Sequence, residues 1–198
     1  MSSITEWRNS FRKMLTDMQV HDAEGIVARN KKIRMSLTNF LTDRPGLWLS
    51  YFGGQDDPAV DVKIPGIQFA YPRVDIEEST LEFYVSSSPN SELDSDRYFL
   101  PEPNINDSSW KKIPRESCFN QSVRGILLPG LGFDRSFYRL GRGSGFYERY
   151  LLGCPILKIG ITFSEQVVAA LPGADSDIRV DVIISDQEII WNPKISKK

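Results

Sequence analysis

A short apolar run, Ile126-Leu127-Leu128, stands between Gly125 and Pro129 and opens onto a glycine-rich stretch followed by a helical pattern. No other feature constrains the fold as much. Three consecutive apolar residues with no polar face suit a strand buried on both sides, and such a strand needs cover above and below. The N-terminal third offers that cover. Ser3 and Glu6 have capping-box spacing, and Ile4, Trp7, Phe11, Leu15 and Met18 recur at three- and four-residue steps, predicting an amphipathic helix. A second helical pattern runs from Asp22 to Leu41, with Ile26, Ile33, Leu37 and Phe40 apolar.

Strand signals fill most of the remainder. Leu47 to Phe52 ends at Gly53-Gly54, Ile67 to Tyr71 stops at Pro72, and Leu81 to Val85 alternates as a half-buried strand does. The polar text from Ser86 to Arg97 reads as a mobile surface loop. Beyond the glycine-rich stretch come a helix from Gly145 to Leu152, a strand at Ile156–Ile161 and a helix across Glu165–Leu171. Strands at Val180–Ile184 and Glu188–Trp191 close the chain. Strands interleaved with helices predict an α/β fold: a single-domain three-layer sandwich, its mixed, mostly parallel sheet covered by helices on both faces. No internal repeat or second core interrupts residues 1–198.

Composition narrows the function classes. With 24 basic and 26 acidic side chains the net charge is −2, so no global field draws nucleic acid and any anion site must be local. The opening MSSITEWRNSFRKML has no apolar h-region and no window approaches 18 apolar residues, so no membrane span and a cytoplasmic location are expected. The two cysteines, Cys118 and Cys154, form no C-x-x-C motif and read as reduced packing residues. His21 is the one histidine and reads as a solvated helix-boundary residue. Ser144, though set between Gly143 and Gly145, lacks the glycines at 142 and 146 that a nucleophile elbow needs.

The chemistry concentrates in residues 129–151, PGLGFDRSFYRLGRGSGFYERYL. Glycines let backbone N–H groups approach an anion, and a following helix N-terminus adds partial positive charge. Arg139 and Arg142 offer forked, charge-assisted hydrogen bonds of the kind phosphate takes. Neither G-x-x-x-x-G-K-[ST] nor G-x-G-x-x-G is completed. From the residues alone two readings stand: an anion-binding loop, or a structural turn with solvated arginines. Arg8 and Arg12, four apart on the first helix, share one face and are either part of such a site or a solvated stripe.

The stretch Pro129-Gly130-Leu131-Gly132-Phe133-Asp134, followed by Arg139 through Glu148, resembles the signature of 5-formyltetrahydrofolate cyclo-ligases, also called methenyltetrahydrofolate synthetases. The similarity runs over nearly the whole chain. It includes the basic pair Arg8 and Arg12, the strand ending near Leu49-Ser50, Pro72-Arg73, Glu102-Pro103, Gln166, Leu171-Pro172, Asp177 and Asp181. The resemblance implies one cyclo-ligase-like domain that closes 5-formyltetrahydrofolate to 5,10-methenyltetrahydrofolate with ATP and Mg2+, as a monomer or weak homo-oligomer. It further implies that Arg8, Arg12 and Arg139 grip ATP phosphates and that Gly141, Arg142, Gly143, Ser144, Gly145, Phe146 and Tyr147 wrap the nucleotide. Arg142 through Phe146, with Leu49, would also face the folate. Glu148 and Asp177 would take the magnesium positions, and Arg139 would stabilise charge with no side-chain nucleophile involved.

Five positions depart from the family pattern. Arg8 stands where lysine is typical, Ser144 replaces the lysine of "GKG", Phe146 replaces a tyrosine and Glu148 an aspartate. No glutamate occurs in the Gly53–Pro58 segment, where Asp56 or Asp57 is the available acid. These changes keep open a second expectation: a diverged paralogue that binds folate or nucleotide without turnover, or acts on a related formamide. Lys13, Arg135 and Arg149 are the nearby cations that could compensate.

Overall fold

A computed structural model describes residues 3–53, 57–75, 77–86, 88, 93–95, 101–172 and 178–195. Two helices open the chain, α1 (Ile4–His21) and α2 (Ala23–Thr42). The capping box forms as the spacing predicts: the Glu6 amide donates to Ser3 Oγ (3.2 Å) and the Ser3 amide to Glu6 Oε2 (2.6 Å). One residue joins the helices. The Asp22 amide donates to the Met18 carbonyl at the end of α1, and its carboxylate accepts from the Gly25 amide to start α2. His21 is the last, exposed residue of α1.

The strands are β1 (Gly46–Leu49), β2 (Ile67–Asp75), β3 (Thr80–Ser86), β4 (Leu93–Ser95), β5 (Pro101–Pro103), β6 (Trp110–Ile113) and β7 (Val123–Leu128). After them come β8 (Gly132–Asp134), β9 (Arg139–Leu140), α3 (Phe146–Leu151), β10 (Leu157–Ile161), β11 (Val167–Val168), β12 (Val182–Ile184) and β13 (Ile189–Trp191). The main sheet has eight strands in the order β13-β12-β10-β7-β1-β2-β3-β6. Its middle five strands, β12 to β2, run parallel, while β13 and β3 add antiparallel strands toward the edges. The mixed, mostly parallel sheet expected from the sequence is therefore present.

Alternation along the strands builds two core layers. Trp48, Leu127, Ile159, Val182 and Ile184 face α1 and α2, meeting Phe11, Leu15, Ile33, Leu37 and Leu41. Leu49, Ile126, Leu128 and Ile183 face the other way, toward Tyr150 and Leu151 of α3 and Cys118 of a 3-10 turn. Side chains of successive strand residues point to opposite faces, so each short strand feeds both layers. Both cysteines are free and buried on the α3 side.

The chain order matters for function. From β1 the chain goes to β2 on one side, then later returns to β7 on the other, so strand order reverses between β1 and β7. In parallel α/β sheets the crevice outside the carboxyl ends of strands at such a reversal is where ligands sit. Here those ends are Leu49-Ser50-Tyr51 and Leu128-Pro129-Gly130.

Four elements differ from the sequence reading. β1 stops at Leu49, where the Ser50 amide makes the last ladder bond, to the Ala70 carbonyl (2.8 Å). Tyr51 and Phe52 leave the sheet. β2 continues through Pro72 to Asp75: since Ala70 points its carbonyl at β1, Pro72 also turns its backbone nitrogen to that side, beyond the end of β1, so the missing N–H breaks no ladder bond. Glu165–Leu171 is not a helix but a 3-10 turn (Ser164–Gln166) running into β11. The buried Gln166 side chain accepts from the Phe163 amide and donates to the Gly130 and Leu131 carbonyls, tying this segment to the loop after β7. Part of the polar 86–97 stretch, Leu93–Ser95, pairs with β5 as a small ribbon, and most of the rest of it lies outside the described residues.

Candidate active site

The segment leaving β7 is built around buried polar groups. Asp134, almost fully buried, accepts the Ser136 and Tyr138 amides at Oδ1 and the Leu171 amide at Oδ2, shaping the turn between β8 and β9. That turn returns the chain to Arg139. Its side chain is 4% exposed and fully engaged in three directions. Nε donates to the Pro129 carbonyl (2.7 Å), Nη1 to Glu148 Oε1 (2.8 Å), and the guanidinium lies 5.0 Å from the Tyr147 ring centroid. A buried charge requires such partners. Gly141 leaves room for them, since a Cβ there would lie 2.8 Å from Arg139 Nη1 and 3.1 Å from Glu148 Oε1.

The glycine turn next in the chain docks on α1. Arg8 Nε donates to the Gly141 carbonyl (3.1 Å), and Arg12 Nη2, one helical turn on, to the Arg142 carbonyl (3.2 Å). Gly143 and Gly145 have φ of +108° and +70°, a region that L side chains enter only with strain. α3 starts at Phe146 and has six residues, too short for a strong dipole. The positive character of the turn therefore comes from Arg8, Arg12, Arg139 and Arg142 rather than from a helix end.

Beside this turn lies a cavity of about 190 Å³ at the carboxyl ends of β1 and β7. Its apolar side is made by Phe52, Pro72, Val74, Leu81 and Phe146. Its polar side holds Asp57, Glu102, Arg139, Arg142 and Glu148. Asp57 Oδ2 accepts from Arg142 Nη2 (3.0 Å), joining the segment after β1 to the glycine turn. Glu102, also buried, pairs with Arg73 at 2.9 Å, and Arg73 is further held by the Pro103 carbonyl. Burial raises the phenol pKa of both Tyr51 and Tyr147, with the Asp57 carboxylate adding to each, so both stay neutral donors at ordinary pH. Tyr51 uses its hydroxyl on the Pro58 carbonyl (2.9 Å). Phe52 stacks on Tyr71 with centroids 4.3 Å apart.

The structure thus brings Arg8, Arg12, Arg139, Gly141 through Tyr147 and Glu148 into one place. Leu49 lies in the core, fully buried two residues before Tyr51, and does not line the cavity. Asp177 and Asp56 lie outside the described residues, whereas Asp57 stands on the cavity wall. Of the compensating cations, Arg135 pairs with Glu188 (2.7 Å), and Arg149 turns to Ser79 and Ser144. Tyr51, Phe52 and Glu102 are wall residues that the sequence reading did not place there. An aromatic pair directly beyond a strand at the sheet's reversal was the available signal for the first two. Among the described residues no group of three His, Cys, Asp or Glu could hold a metal by itself. Glu148 keeps its side chain about a quarter exposed toward the cavity. That suits a hard cation that takes one or two protein carboxylates and completes its shell with water and ligand oxygens.

Fold and site together define an α/β protein with an arginine-clamped glycine turn and an adjoining apolar cavity at its topological switch point. A model of the 5-formyltetrahydrofolate cyclo-ligase family matches residues 61–186, more than half of the chain. The chain belongs to that family. Among curated proteins it is similar to the 5-formyltetrahydrofolate cyclo-ligase of Mus musculus, 32% identical over 87 residues, covering 41% of this chain and 43% of that one. It is also similar to the Mycoplasma pneumoniae 5-formyltetrahydrofolate cyclo-ligase, 44% identical over 65 residues, 31% of this chain and 38% of that one. The matched segments thus span less than half the length of either relative. Solved structures extend the likeness over the whole fold. The Aquifex aeolicus 5,10-methenyltetrahydrofolate synthetase superposes with a TM-score of 0.75 over 98% of this chain and 95% of its own, at 22% identity, a likeness of fold. The Mycoplasma pneumoniae 5,10-methenyltetrahydrofolate synthetase gives 0.67 over 90% and 98%, at 27% identity. No helix among the described residues is long and apolar enough to cross a membrane.

Proposed function

We propose that this chain catalyses the ATP-dependent closure of 5-formyltetrahydrofolate to 5,10-methenyltetrahydrofolate, releasing ADP and phosphate. One observation carries the reading: the buried Arg139 is fixed by Pro129, Glu148 and Tyr147 where the glycine turn meets the apolar cavity. Family membership supports the same reaction.

The chemical difficulty is a formamide oxygen, a poor leaving group. In the proposed course that oxygen attacks the γ-phosphorus and ADP departs. N10 then attacks the activated formyl carbon, and the C–O bond breaks. The formyl oxygen and the N10 proton leave together as hydrogen phosphate, so atoms and charge balance. No side-chain nucleophile enters. The protein aligns two substrates and stabilises charge on the transferring group. Arg139 is the preorganised cation for that charge, and Arg8, Arg12 and Arg142 bind phosphate oxygens. Gly141 to Tyr147 shape the nucleotide wall, and Arg142 to Phe146 face the folate across the cavity from Phe52 and Leu81. Mg2+, held by Glu148 and Asp177 with nucleotide oxygens, would supply further charge neutralisation. Tyr51 and Tyr147, kept protonated by burial, add no negative charge beside the phosphates.

A second reading is a family member that binds folate or nucleotide without turnover. It draws on the two ion pairs, Arg139–Glu148 and Arg142–Asp57, which engage two of the four arginines that the reaction assigns to phosphate. The deciding experiment mixes the protein with ATP, magnesium and 5-formyltetrahydrofolate and follows the ultraviolet absorbance of the methenyl product. Turnover is expected, falling about 10²–10³-fold in Arg139→Ala. Tight calorimetric binding with a flat absorbance trace would establish the second reading instead.

A further inference from the structure

The last turn of α3 carries an arginine that the proposed reaction does not use. Arg149 spreads its fork over two backbone segments that flank the cavity. Nη1 donates to the Ser144 carbonyl (3.1 Å), while Nε (3.2 Å) and Nη2 (2.9 Å) both donate to the Ser79 carbonyl. Its guanidinium also lies 5.1 Å from the Phe146 ring centroid. Ser144 and Phe146 belong to the glycine-turn wall. Ser79 closes the turn between β2 and β3, the hairpin whose Pro72, Val74 and Leu81 form the opposite apolar wall.

Two local conformations suit this contact. Ser79 is a non-glycine residue with φ of +53°, an uncommon state for a side chain to hold, and its carbonyl takes two donors from one guanidinium. Gly145, at φ +70°, would place a Cβ 2.8 Å from Arg149 Nη1, so glycine there admits the guanidinium against the turn. An exposed arginine ordinarily contributes little. A planar fork committed to two backbone segments 65 positions apart does something else: it fixes their separation.

We infer that Arg149 is a positioning residue that sets the width of the folate cavity by clamping the glycine turn to the β2–β3 hairpin. This rests on the cyclo-ligase reading for its effect on catalysis, though the clamp itself does not. It touches no reacting atom. Preorganised walls lower the entropy lost when a ligand is seated, so loosening them raises KM for the ligand between them.

The test compares Arg149→Ala and Arg149→Lys in the full chain by hydrogen exchange, thermal melting and steady-state kinetics. Both variants should melt close to the parent, and exchange should rise together at residues 77–81 and 143–146. KM for 5-formyltetrahydrofolate should rise about tenfold while kcat and KM for ATP move less than about threefold. Lysine should fail to rescue, because one ammonium cannot serve both carbonyls. Unchanged exchange at either segment, a parental folate KM in either variant, or full rescue by lysine would overturn the clamp. If alanine prevents folding, the lysine variant decides alone. A parent protein without turnover removes the cyclo-ligase reading, and the paired exchange result still settles the clamp.

Discussion

Arg8 and Gly141, 133 positions apart, meet through a single 3.1 Å hydrogen bond from Nε to the carbonyl, and this contact seats the glycine turn on the first helix. Arg12 repeats it one residue on, at the Arg142 carbonyl. The N-terminal helix is therefore part of the candidate site and not only a cover for the sheet. Orienting two carbonyls toward α1 leaves the turn shaped by side chains from a distant element, so its geometry depends on the α1–sheet packing through Phe11 and Leu15.

The first prediction follows from that seat. Arg8→Ala should raise KM for ATP by about tenfold or more with a smaller effect on KM for the folate, since the proposed charge-assisted phosphate contact and the anchor of the turn are lost together. Arg8→Lys should recover most of the affinity, because an ammonium supplies both the charge and one donor. Steady-state kinetics with each substrate varied in turn checks this, and equal losses in the two variants would show that the fork itself is required.

A second prediction concerns Glu148. Replacing it by Gln removes the charge opposite a guanidinium that is almost fully buried. Breaking a buried ion pair costs about 3–5 kcal/mol, and the partial exposure of Glu148 places the expected loss nearer 2 kcal/mol. In a chain of this size that is a fall in Tm of about 4–8 °C. Turnover should fall as well, because Arg139 loses one of the contacts that aim it. A Glu148→Gln protein that melts with the parent would show that the Pro129 carbonyl and the Tyr147 ring hold Arg139 unaided.

The third prediction uses Cys118. Burial raises its thiol to about 11, outweighing the lowering by the Tyr150 hydroxyl nearby. The native state therefore favours the protonated thiol more than the unfolded state does. That contribution is fully present below the unfolded pKa near 9 and is lost as pH climbs through about 11. Melting temperatures should decline between about pH 9 and 11, and Cys118→Ala should flatten part of the decline. Iodoacetamide should label neither Cys118 nor Cys154 at pH 8 in the folded protein, and both after unfolding, as mass spectrometry would report.

What the sequence made legible was local. The Ser3–Glu6 capping box, the helix pair meeting at Asp22 and the strand through Ile126-Leu127-Leu128 all rest on neighbours within a few positions, where propensity and periodicity speak directly. The arginine–glycine turn was equally plain. Its partners were not, because they are tertiary. The Arg142–Asp57 pair spans 85 positions, and nothing in the text around Gly53 selects Asp57 over Asp56. The segment Glu165–Leu171 has a helical look, yet the Gln166 side chain donates across the fold to the Gly130 and Leu131 carbonyls, and Val167-Val168, β-branched, join β8 as a strand. Pro72 reads as a strand end because sequence does not reveal that its neighbour β1 has already stopped. The helix after the turn reads as Gly145–Leu152 and is found as Phe146–Leu151, so short that the positive charge rests on the arginines and little on its N-terminus.

The pair Arg142–Asp57 yields the last prediction, in which two constants move in opposite directions. The Asp57 side chain on the cavity wall is 9% exposed and that of Arg142 is 40% exposed, so the carboxylate is the fixed partner and the guanidinium the one able to swing. If Arg142 serves phosphate, it must exchange Asp57 for the nucleotide, and that exchange opposes binding. Asp57→Asn removes the competing charge but keeps a side chain of the same shape. KM for ATP should then fall by about two- to fivefold, the scale of a partly exposed ion pair. KM for 5-formyltetrahydrofolate should rise in the same variant, because the cavity wall loses its acid from the Gly53–Pro58 segment, where the family pattern has a glutamate. Raising the salt concentration should shrink the ATP difference between parent and variant, since screening weakens the pair in the parent alone. Parallel changes in both KM values would instead mean that Asp57 holds the segment after β1 in place, and that Arg142 does not trade partners during turnover.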